Sequence, residues 1–350
     1  MVAMSGGVDS SVAAYLLKQQ GYECIGCTMK LYDNEDIGVK KGHTCCSLSD
    51  VEDARSVAYR LGMPYYVFNY MDSFRKNVVD KFVSEYMHGR TPNPCIDCNR
   101  YMKFDLLYQK AKILGCDYIA TGHYATVKSN GETYSLYKGA DRSKDQSYVL
   151  YQLTQDQLAH TLFPLGEYNK TEVRKIAEEN GFLNAEKPDS QDICFVPDGD
   201  YAKVIERFSE KYIEPGNFVD NKGTVLGRHK GIIHYTVGQR KGLGISFGAP
   251  LYVCKIRPES NEVVLGEKSE LTKNIMFIKD VNWIFTSLPE DSFRCRVKIR
   301  YRSSEFACIV YPLNELRAKI CFEEPAIAIT PGQSAVLYKE NSVLGGGIIE

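Results

Sequence analysis

The chain has 350 residues, enough for two or three domains at about 100–200 residues each. It is 44 % hydrophobic and 25 % charged with a formal net charge of -1, which excludes a disordered chain and a wholly basic one, so any nucleic-acid footprint must be local. No run of about 18 apolar residues and no basic-then-apolar leader is present, so neither a membrane span nor a signal peptide is expected, and the expected setting is the cytoplasm.

Residues 1–4 read as a short strand, 10–20 as a helix stopped by Gly21, and 22–32 as a second strand. A helix over 49–61 ends at Gly62, a strand follows over 64–69, and a long helix covers 71–88. A helix over 104–114 ends at Gly115 and leads into a strand over 117–121. Strands and helices in alternation predict an α/β domain, a doubly wound parallel sheet with helices on both faces. Ser129-Asn130-Gly131-Glu132 supplies a hairpin turn within 128–137. After about residue 212 helical periods vanish, and short β-type runs stand at 251–256, 262–265, 294–302, 306–311, 317–322 and 334–339. That spacing predicts a small closed barrel. The expected domains are 1–204, a small central domain over 205–265, and a C-terminal β-barrel over 266–350.

Between the first strand and first helix lies Ser5-Gly6-Gly7-Val8-Asp9-Ser10-Ser11. Glycines let a backbone approach a phosphate, the helix N-terminus offers N–H groups and a partial positive charge, and the serines add donors. No Gly-Lys-Ser/Thr is present, so this is not the loop of γ-phosphate transfer enzymes, nor is it GxGxxG. It resembles the pyrophosphate loop of the N-type ATP pyrophosphatases, which cleave ATP to AMP and pyrophosphate while adenylating a substrate oxygen. That resemblance implies Asp9 as a holder of Mg2+ and Ser10 and Ser11 as contacts of the leaving pyrophosphate. Gly122 and His123, in Ala120-Thr121-Gly122-His123-Tyr124, end a strand and so face the same crevice. Taken alone, His123 is more simply a satisfied core histidine.

In a cytoplasmic setting the 12 cysteines are expected as thiols. Cys24 and Cys27 have CxxC spacing but fall on a strand, where side chains three apart point to opposite faces. Cys116, Cys254, Cys295, Cys308 and Cys321 lie in or beside β-type runs and read as buried apolar residues. Cys45 and Cys46 stand in a polar loop and read as structural. Cys95 and Cys98 occupy a Pro-rich loop leading into a helix, beside Arg100 and Lys103, a setting that favours the thiolate. Cys194 follows Ser190-Gln191-Asp192, and the aspartate disfavours a thiolate there, which suits a sulfur carrier.

TPNPCIDCNRYMKF and SQDICF behind an SGGVDS loop resemble the tRNA-specific 2-thiouridylase family (MnmA type). The likeness extends to Cys45-Cys46-Ser47 with Asp53-Ala54-Arg55, to Lys144-Asp145-Gln146-Ser147, to the stretch from His234 through Gln239-Arg240-Lys241 to Gly244, and to Leu344-Gly345-Gly346-Gly347. It spans essentially the whole chain. The resemblance implies an adenine-nucleotide α-hydrolase fold and ATP contacts at Ala3, Met4, Ser5, Gly6, Gly7, Val8, Asp9, Ser10, Met29 and Gly122. It implies that ATP adenylates O2 of a wobble uridine and that Cys194 carries a persulfide sulfur that attacks C2. Cys98 then forms a disulfide with Cys194, and a reductant resets the pair. The implied partners are tRNAs of the Lys, Glu and Gln types and a cysteine desulfurase or relay protein. Many members carry Asp where this chain has Cys95, so Cys95 cannot inherit that acid–base role. With Cys98 and Cys194 it makes a possible ligand set for a [4Fe-4S] cluster, a route ranked behind the persulfide one.

An enzyme acting on one base must extrude it and read loop features around it. By resemblance Asn93, Pro94 and Cys95 contact the target base, and His123, Lys144, Asp145, Gln146, Arg300, Tyr301 and Gln333 contact the tRNA. Alternation puts Arg294, Arg296, Lys298, Arg300 and Arg302 on one strand face, which otherwise reads as a solvated surface. Gln239, Arg240 and Lys241 form a further phosphate-contact candidate. A small-molecule synthetase of the ATP pyrophosphatase class would share the loop but need neither Cys98 nor Cys194. A non-catalytic RNA- or metal-binding module would leave the loop unexplained.

Overall fold

Alternating strand and helix signals resolve, in a computed structural model, into a parallel sheet, then a mixed sheet and an antiparallel barrel. The structure describes residues 1–35, 48–188, 193–196, 198–209, 212–245, 249–284 and 291–350. The chain forms two units: Met1–Val78 with Cys95–Asp200 and Asn341–Val343, and Val79–Pro94 with Tyr201–Glu340 and Leu344–Glu350.

The first unit holds β1 (Val2–Ala3), β2 (Gly26–Lys30), β3 (Tyr65–Asn69), β4 (Ile119–Ala120) and β7 (Thr161–Leu162), in the order β3-β2-β1-β4-β7. Every neighbouring pair is parallel. Helix α1 (Val8–Gln19) buries Val8, Val12, Ala13, Leu16 and Leu17, a helical spacing that turns one face to the sheet core. It stops because Gly21, at φ +85°, lets the chain fold back and Tyr22 N–H donate to Leu17 O at 3.1 Å. Helix α2 (Leu48–Arg60) buries Ala54, Val57 and Ala58 against the same core. The helix Lys170–Glu179 starts at a capping box in which Asn169 and Glu172 satisfy each other's backbone N–H groups. A hairpin of β5 (Ala125–Ser129) and β6 (Tyr134–Lys138) turns where the sequence predicts, and Tyr137 pairs with Ser342.

The 71–88 expectation is met by a continuous helical run of Met71–Phe74, a π-helical Arg75–Val79 and Asp80–Met87. The helix expected over 104–114 begins ten residues earlier. Pro94–Asp97 is its first turn, Cys98–Leu107 is π-helical and Tyr108–Ile113 is α-helical. Cys95 and Cys98 therefore stand on helix, not on a preceding loop.

In the second unit, β8 (Gly216–Val219), β9 (Val225–His229), β10 (Tyr252–Arg257) and β11 (Glu262–Gly266) form a sheet ordered β10-β11-β8-β9. Then β12 (Thr272–Trp283), β13 (Phe293–Lys298), β14 (Phe306–Asn314), β15 (Arg317–Ile327), β16 (Ser334–Lys339) and β17 (Ser342–Ile349) run β12-β15-β14-β13-β16-β17. Antiparallel pairing of β12 with β17 closes the barrel. Its core is Ile278, Val297, Val310, Ile320 and Leu337 with their neighbours, all inward by the two-residue period. The alternation expected over 294–302 ends at Lys298: Arg294 and Arg296 face outward, but Arg300 lies in the turn beyond the strand. Among the described residues no helix is long and apolar enough to cross a membrane.

Candidate active site

The chain leaves β1 toward β2 and β3, then returns to lay β4 and β7 on the other side. Ligands of such sheets bind at the carboxyl ends of the strands flanking this switch point. Those ends carry Met4 and Ser5 after β1, and Thr121 and Gly122 after β4. A Cβ on Gly122 would lie 2.8 Å from the backbone C of Asp9 and N of Ser10, so the end of β4 rests directly on the first turn of α1. Gly6 has φ +75°, and a Cβ there would fall 2.3 Å from the backbone oxygen of Asp50. Only glycine fits either place.

Gly7 is the N-cap of α1 and makes no side-chain cap. The first N–H groups of the helix are left to a ligand, the condition for anion binding. Ser10 Oγ accepts from Ser5 N–H at 3.2 Å and donates to Gly7 O at 3.0 Å, and Ser11 Oγ donates to Gly7 O at 3.1 Å. Behind the loop, Thr28 Oγ1 donates to Met4 O at 2.5 Å, and Ala3 and Met29 lie on β1 and β2.

Two lysines grip this loop from outside. Lys187 Nζ donates to Asp50 at 2.5 Å, to Asp53 at 2.8 Å and to Gly6 O at 3.4 Å. Burial opposes its charge, but the bonds from the two carboxylates outweigh this and raise its pKa. Asn184 Nδ2 donates to Gly6 O and to Ser11 Oγ, both at 2.9 Å, while its buried Oδ1 has no partner among the described residues. On the other flank Lys170 Nζ lies 2.7 and 2.8 Å from the two Asp9 carboxylate oxygens, and Tyr124 Oη donates to Asp9 Oδ1 at 2.7 Å. Asp9, the expected Mg2+ holder, is thus already bonded on both oxygens. As one carboxylate it still fits a cation whose remaining ligands come from substrate phosphates, the usual mode for Mg2+.

His123 is buried, its Nδ1 2.7 Å from Thr121 Oγ1, between the rings of Phe104 and Phe163. Burial holds its pKa well below the usual histidine range, so it is neutral. The expected tRNA contact is therefore a core side chain here. Asp145 is also buried: Oδ1 accepts from Gly139 N–H at 3.2 Å and Ser147 N–H at 3.1 Å, and Oδ2 from Ser147 Oγ at 3.0 Å. Gln146 Oε1 accepts from Tyr124 N–H at 3.0 Å, while Lys144 is half-exposed.

Cys95 is exposed; Cys98 and Cys194 are half-buried. The helix of Cys98 is fixed by Met102, Phe104 and Leu107, all fully buried, and by Asn99 Nδ2 donating to Val149 O at 3.0 Å. The Cys194 backbone accepts from Tyr32 Oη at 2.9 Å, and Phe195 meets Phe74 edge-on at 5.7 Å. The short helix Met71–Phe74 packs on the Cys98–Leu107 run as well, so both cysteine segments rest on one support. Among the described residues no three His, Cys, Asp or Glu side chains gather to hold a metal ion. Cys95, Cys98 and Cys194 as placed do not form a cluster cradle. Cys45, Cys46 and Ser47, and Ser190, Gln191 and Asp192, lie outside the described residues. Cys27 is buried, and burial pushes its thiol up to about 12, as expected of a structural residue.

In the second unit, Gln333 Nε2 donates to Thr91 O at 2.8 Å and Pro92 O at 3.4 Å, which sets it beside the segment carrying Asn93 and Pro94. Arg300 donates to Val237 O at 2.8 Å and to Thr330 Oγ1. Arg240 and Lys241 are exposed on the turn after Gly238, whose added Cβ would sit 3.7 Å from Arg300. Tyr301 is half-exposed. These candidates cluster, while Arg294 and Arg296 stay on the barrel wall, bonded near Glu323 and Glu305.

Lys170, Tyr124, Lys187 and Asn184 escape sequence reasoning as site residues. The capping box at Asn169 marks Lys170 as the first residue of a helix, but nothing local aims its side chain at Asp9.

A family model described as tRNA methyl transferase HUP domain matches residues 1–198. The corresponding PRC-barrel domain matches 203–267, and an aminomethyltransferase beta-barrel domain matches 273–349. The tRNA-specific 2-thiouridylase MnmA of Clostridioides difficile strain 630 is 53 % identical over 352 residues, covering 100 % of this chain and 97 % of that protein. Those named alike from Clostridium kluyveri and Acetivibrio thermocellus are each 52 % identical, covering 100 % of this chain and 98 % of theirs.

Proposed function

The chain belongs to the tRNA-specific 2-thiouridylase family, and from that premise we propose how its own residues carry ATP-dependent 2-thiolation of a tRNA uridine, at the wobble position of Lys-, Glu- and Gln-type tRNAs. The observation that carries the reading is one unit holding both an uncapped helix N-terminus at the sheet's switch point and two half-buried cysteines resting on one short helix.

The N–H groups at the start of α1, with Ser5, Gly6, Gly7, Val8 and Ser10, hold the β- and γ-phosphates, and Gly122 leaves room for the backbone approach. Ala3, Met4 and Met29 line the nucleotide. Asp9 is the residue that would hold Mg2+, which supplies positive charge against the phosphates. Uridine O2 attacks the α-phosphorus and pyrophosphate leaves, turning a poor leaving oxygen into a good one. The terminal sulfur of a persulfide on Cys194, loaded by a cysteine desulfurase or relay protein, attacks C2 and AMP leaves. The Cys98 thiolate then attacks Cys194 Sγ. The bond between Cys194 and the transferred sulfur breaks, its electron pair stays on the thiouridine, and a Cys98–Cys194 disulfide remains for an external dithiol to reduce. Asn93, Pro94 and Cys95 are assigned to the target base, and Lys144, Arg300, Tyr301 and Gln333 to the surrounding RNA. His123, Asp145 and Gln146 support these contacts from within. The setting is the cytoplasm, where such thiols stay reduced.

The test incubates the protein with ATP, Mg2+, a persulfide source and unmodified tRNA, and assays 2-thiouridine by mass after digestion. ATP-dependent product that disappears in Cys98→Ser and Cys194→Ser supports the reading. Product only after anaerobic iron–sulfur reconstitution would replace the persulfide route, and AMP formed on a small acceptor without thiolated tRNA would sink it.

A further inference from the structure

Both groups that hold the Asp9 carboxylate hang from one loop. Tyr124, whose Oη donates to Asp9 at 2.7 Å, is buried, and its backbone is clamped in both directions by Gln146. Its N–H donates to Gln146 Oε1 at 3.0 Å, and Gln146 N–H donates back to Tyr124 O at 2.9 Å. Lys170, which meets both Asp9 oxygens, donates its own backbone N–H to Asp141 Oδ2 at 3.1 Å. Asp141 and Gln146 belong to the same turn. Asp141 Oδ1 also takes Ser143 N–H at 3.0 Å and Ser143 Oγ at 2.6 Å, and Asp145 ties Gly139 to Ser147. An added Cβ on Gly139 would stand 2.8 Å from Tyr124 O, so loop and tyrosine backbone are in direct contact. A shift of 139–147 therefore has two routes to one carboxylate.

That carboxylate matters electrically. Asp9 lies in the first turn of α1, where its negative charge competes with phosphate for the positive end of the helix. An ammonium turned toward the same point has the opposite effect. Which of Asp9 and Lys170 faces the nucleotide sets the sign of the local field.

We propose that Tyr124 and Lys170 are positioning residues through which the loop 139–147 orients Asp9, so that RNA held at Lys144 switches ATP cleavage on. This rests on the assignment of 5–11 to ATP and of Lys144 to RNA. Without RNA the α-phosphorus has water as its only nucleophile, so ATP would be hydrolysed to AMP and pyrophosphate with no adenylate formed, and a tether between the two sites avoids that loss.

The experiment uses the full chain, ATP and an in-vitro tRNA transcript, and reads AMP formed with and without RNA. In the unsubstituted protein tRNA raises the rate. In Tyr124→Phe and Lys170→Gln the ratio of stimulated to unstimulated rate falls about tenfold beyond any change in the unstimulated rate itself, and Lys170→Arg restores part of it. Asp141→Ala, at the rim of the loop, gives the same direction should either core variant fold poorly. Stimulated and unstimulated rates falling together, or no stimulation in the unsubstituted protein, would overturn the inference. The underlying assignments fail differently: Lys144→Ala binding tRNA as tightly as the unsubstituted chain removes the RNA contact, and ATP failing to protect the 5–11 loop from proteolysis removes the nucleotide contact.

Discussion

Two pairs of cysteines in this molecule have opposite designs. Cys295 and Cys308 face each other across β13 and β14 with their sulfurs 3.6 Å apart, well beyond a disulfide bond but in contact. The hydrogen bond from Cys308 and then burial push the Cys295 thiol far up, and Cys308 is fully enclosed. Cys98 and Cys194 are only half-buried, and Arg100 and Lys103 follow Cys98 on its helix. Proximity of two thiols therefore does not by itself make a pair reactive. What separates the two pairs is access, and the proposed chemistry falls on the accessible one.

The sharpest test of that contrast is removal. Cys98→Ser or Cys194→Ser is expected to lower 2-thiouridine formation about 10³-fold or more, because each is a member of one concerted unit. Cys295→Ala with Cys308→Ala leaves thiolation in place. Alkylation comes next. At pH 8 a thiol with the ordinary value of 9.0 is about one-tenth thiolate, whereas Cys27, at about 12, is about 10³-fold less ionised. Timed iodoacetamide labelling followed by peptide mass mapping should find Cys95 early, and Cys27 late along with Cys295 and Cys308; equal rates would break the comparison.

A smaller effect is expected at Gly122, outside the cysteines. Gly122→Ala forces a Cβ onto the backbone of Asp9 and Ser10. An overpacking cost of about 1–3 kcal/mol weakens ATP binding by roughly 10- to 100-fold, read by calorimetry. On the barrel side, Cys308→Ser buries a hydroxyl where a thiol sat, at a cost of about 1–3 kcal/mol in the urea midpoint with thiolation retained. The mildest effect is acid. His123 is neutral when folded, with its pKa held well below 6.5 by burial. The unfolded chain binds the extra proton first, so stability is full above about pH 6.5 and declines as pH falls below it. Thermal midpoints between pH 7 and 5 check the sign, and His123→Gln should flatten the slope.

The glycine–serine loop after β1 and the parallel character of the first sheet were legible because glycine, serine and helix-stop positions carry local meaning. The long helix of Cys98 was not. Pro94 suggested a loop, yet it occupies the first helical turn, where its missing N–H costs nothing, and the π-helical stretch after it breaks the 3.6-residue period that would have extended the helix upstream. Strand β12 hid behind Lys273, Asn274, Lys279 and Asp280, and β17 behind its glycines, which allow close approach to β12 at Asn282 and Lys279. Arg300 was placed on a strand face by carrying an alternation two residues too far. Lys170 and Lys187 are single residues whose meaning comes only from chain ends brought together, 161 and 181 residues apart, on the loop.

The π-helical stretch Cys98–Leu107 has a consequence for how this helix tolerates change in length. A wide turn is an extra residue absorbed inside a helix, so deleting one residue there has somewhere to go: the stretch can tighten to ordinary α-geometry. Both ends can then keep their facing, because the residue lost is the one that a wide turn holds beyond an ordinary turn. Losing more residues than the wide turns hold has no such outlet: with the Tyr108–Ile113 end docked through Tyr108 and Ala111, each further residue lost swings Cys98 around the axis by about 100°. Within this helix the length of the chain, as much as the identity of its residues, aims the sulfur.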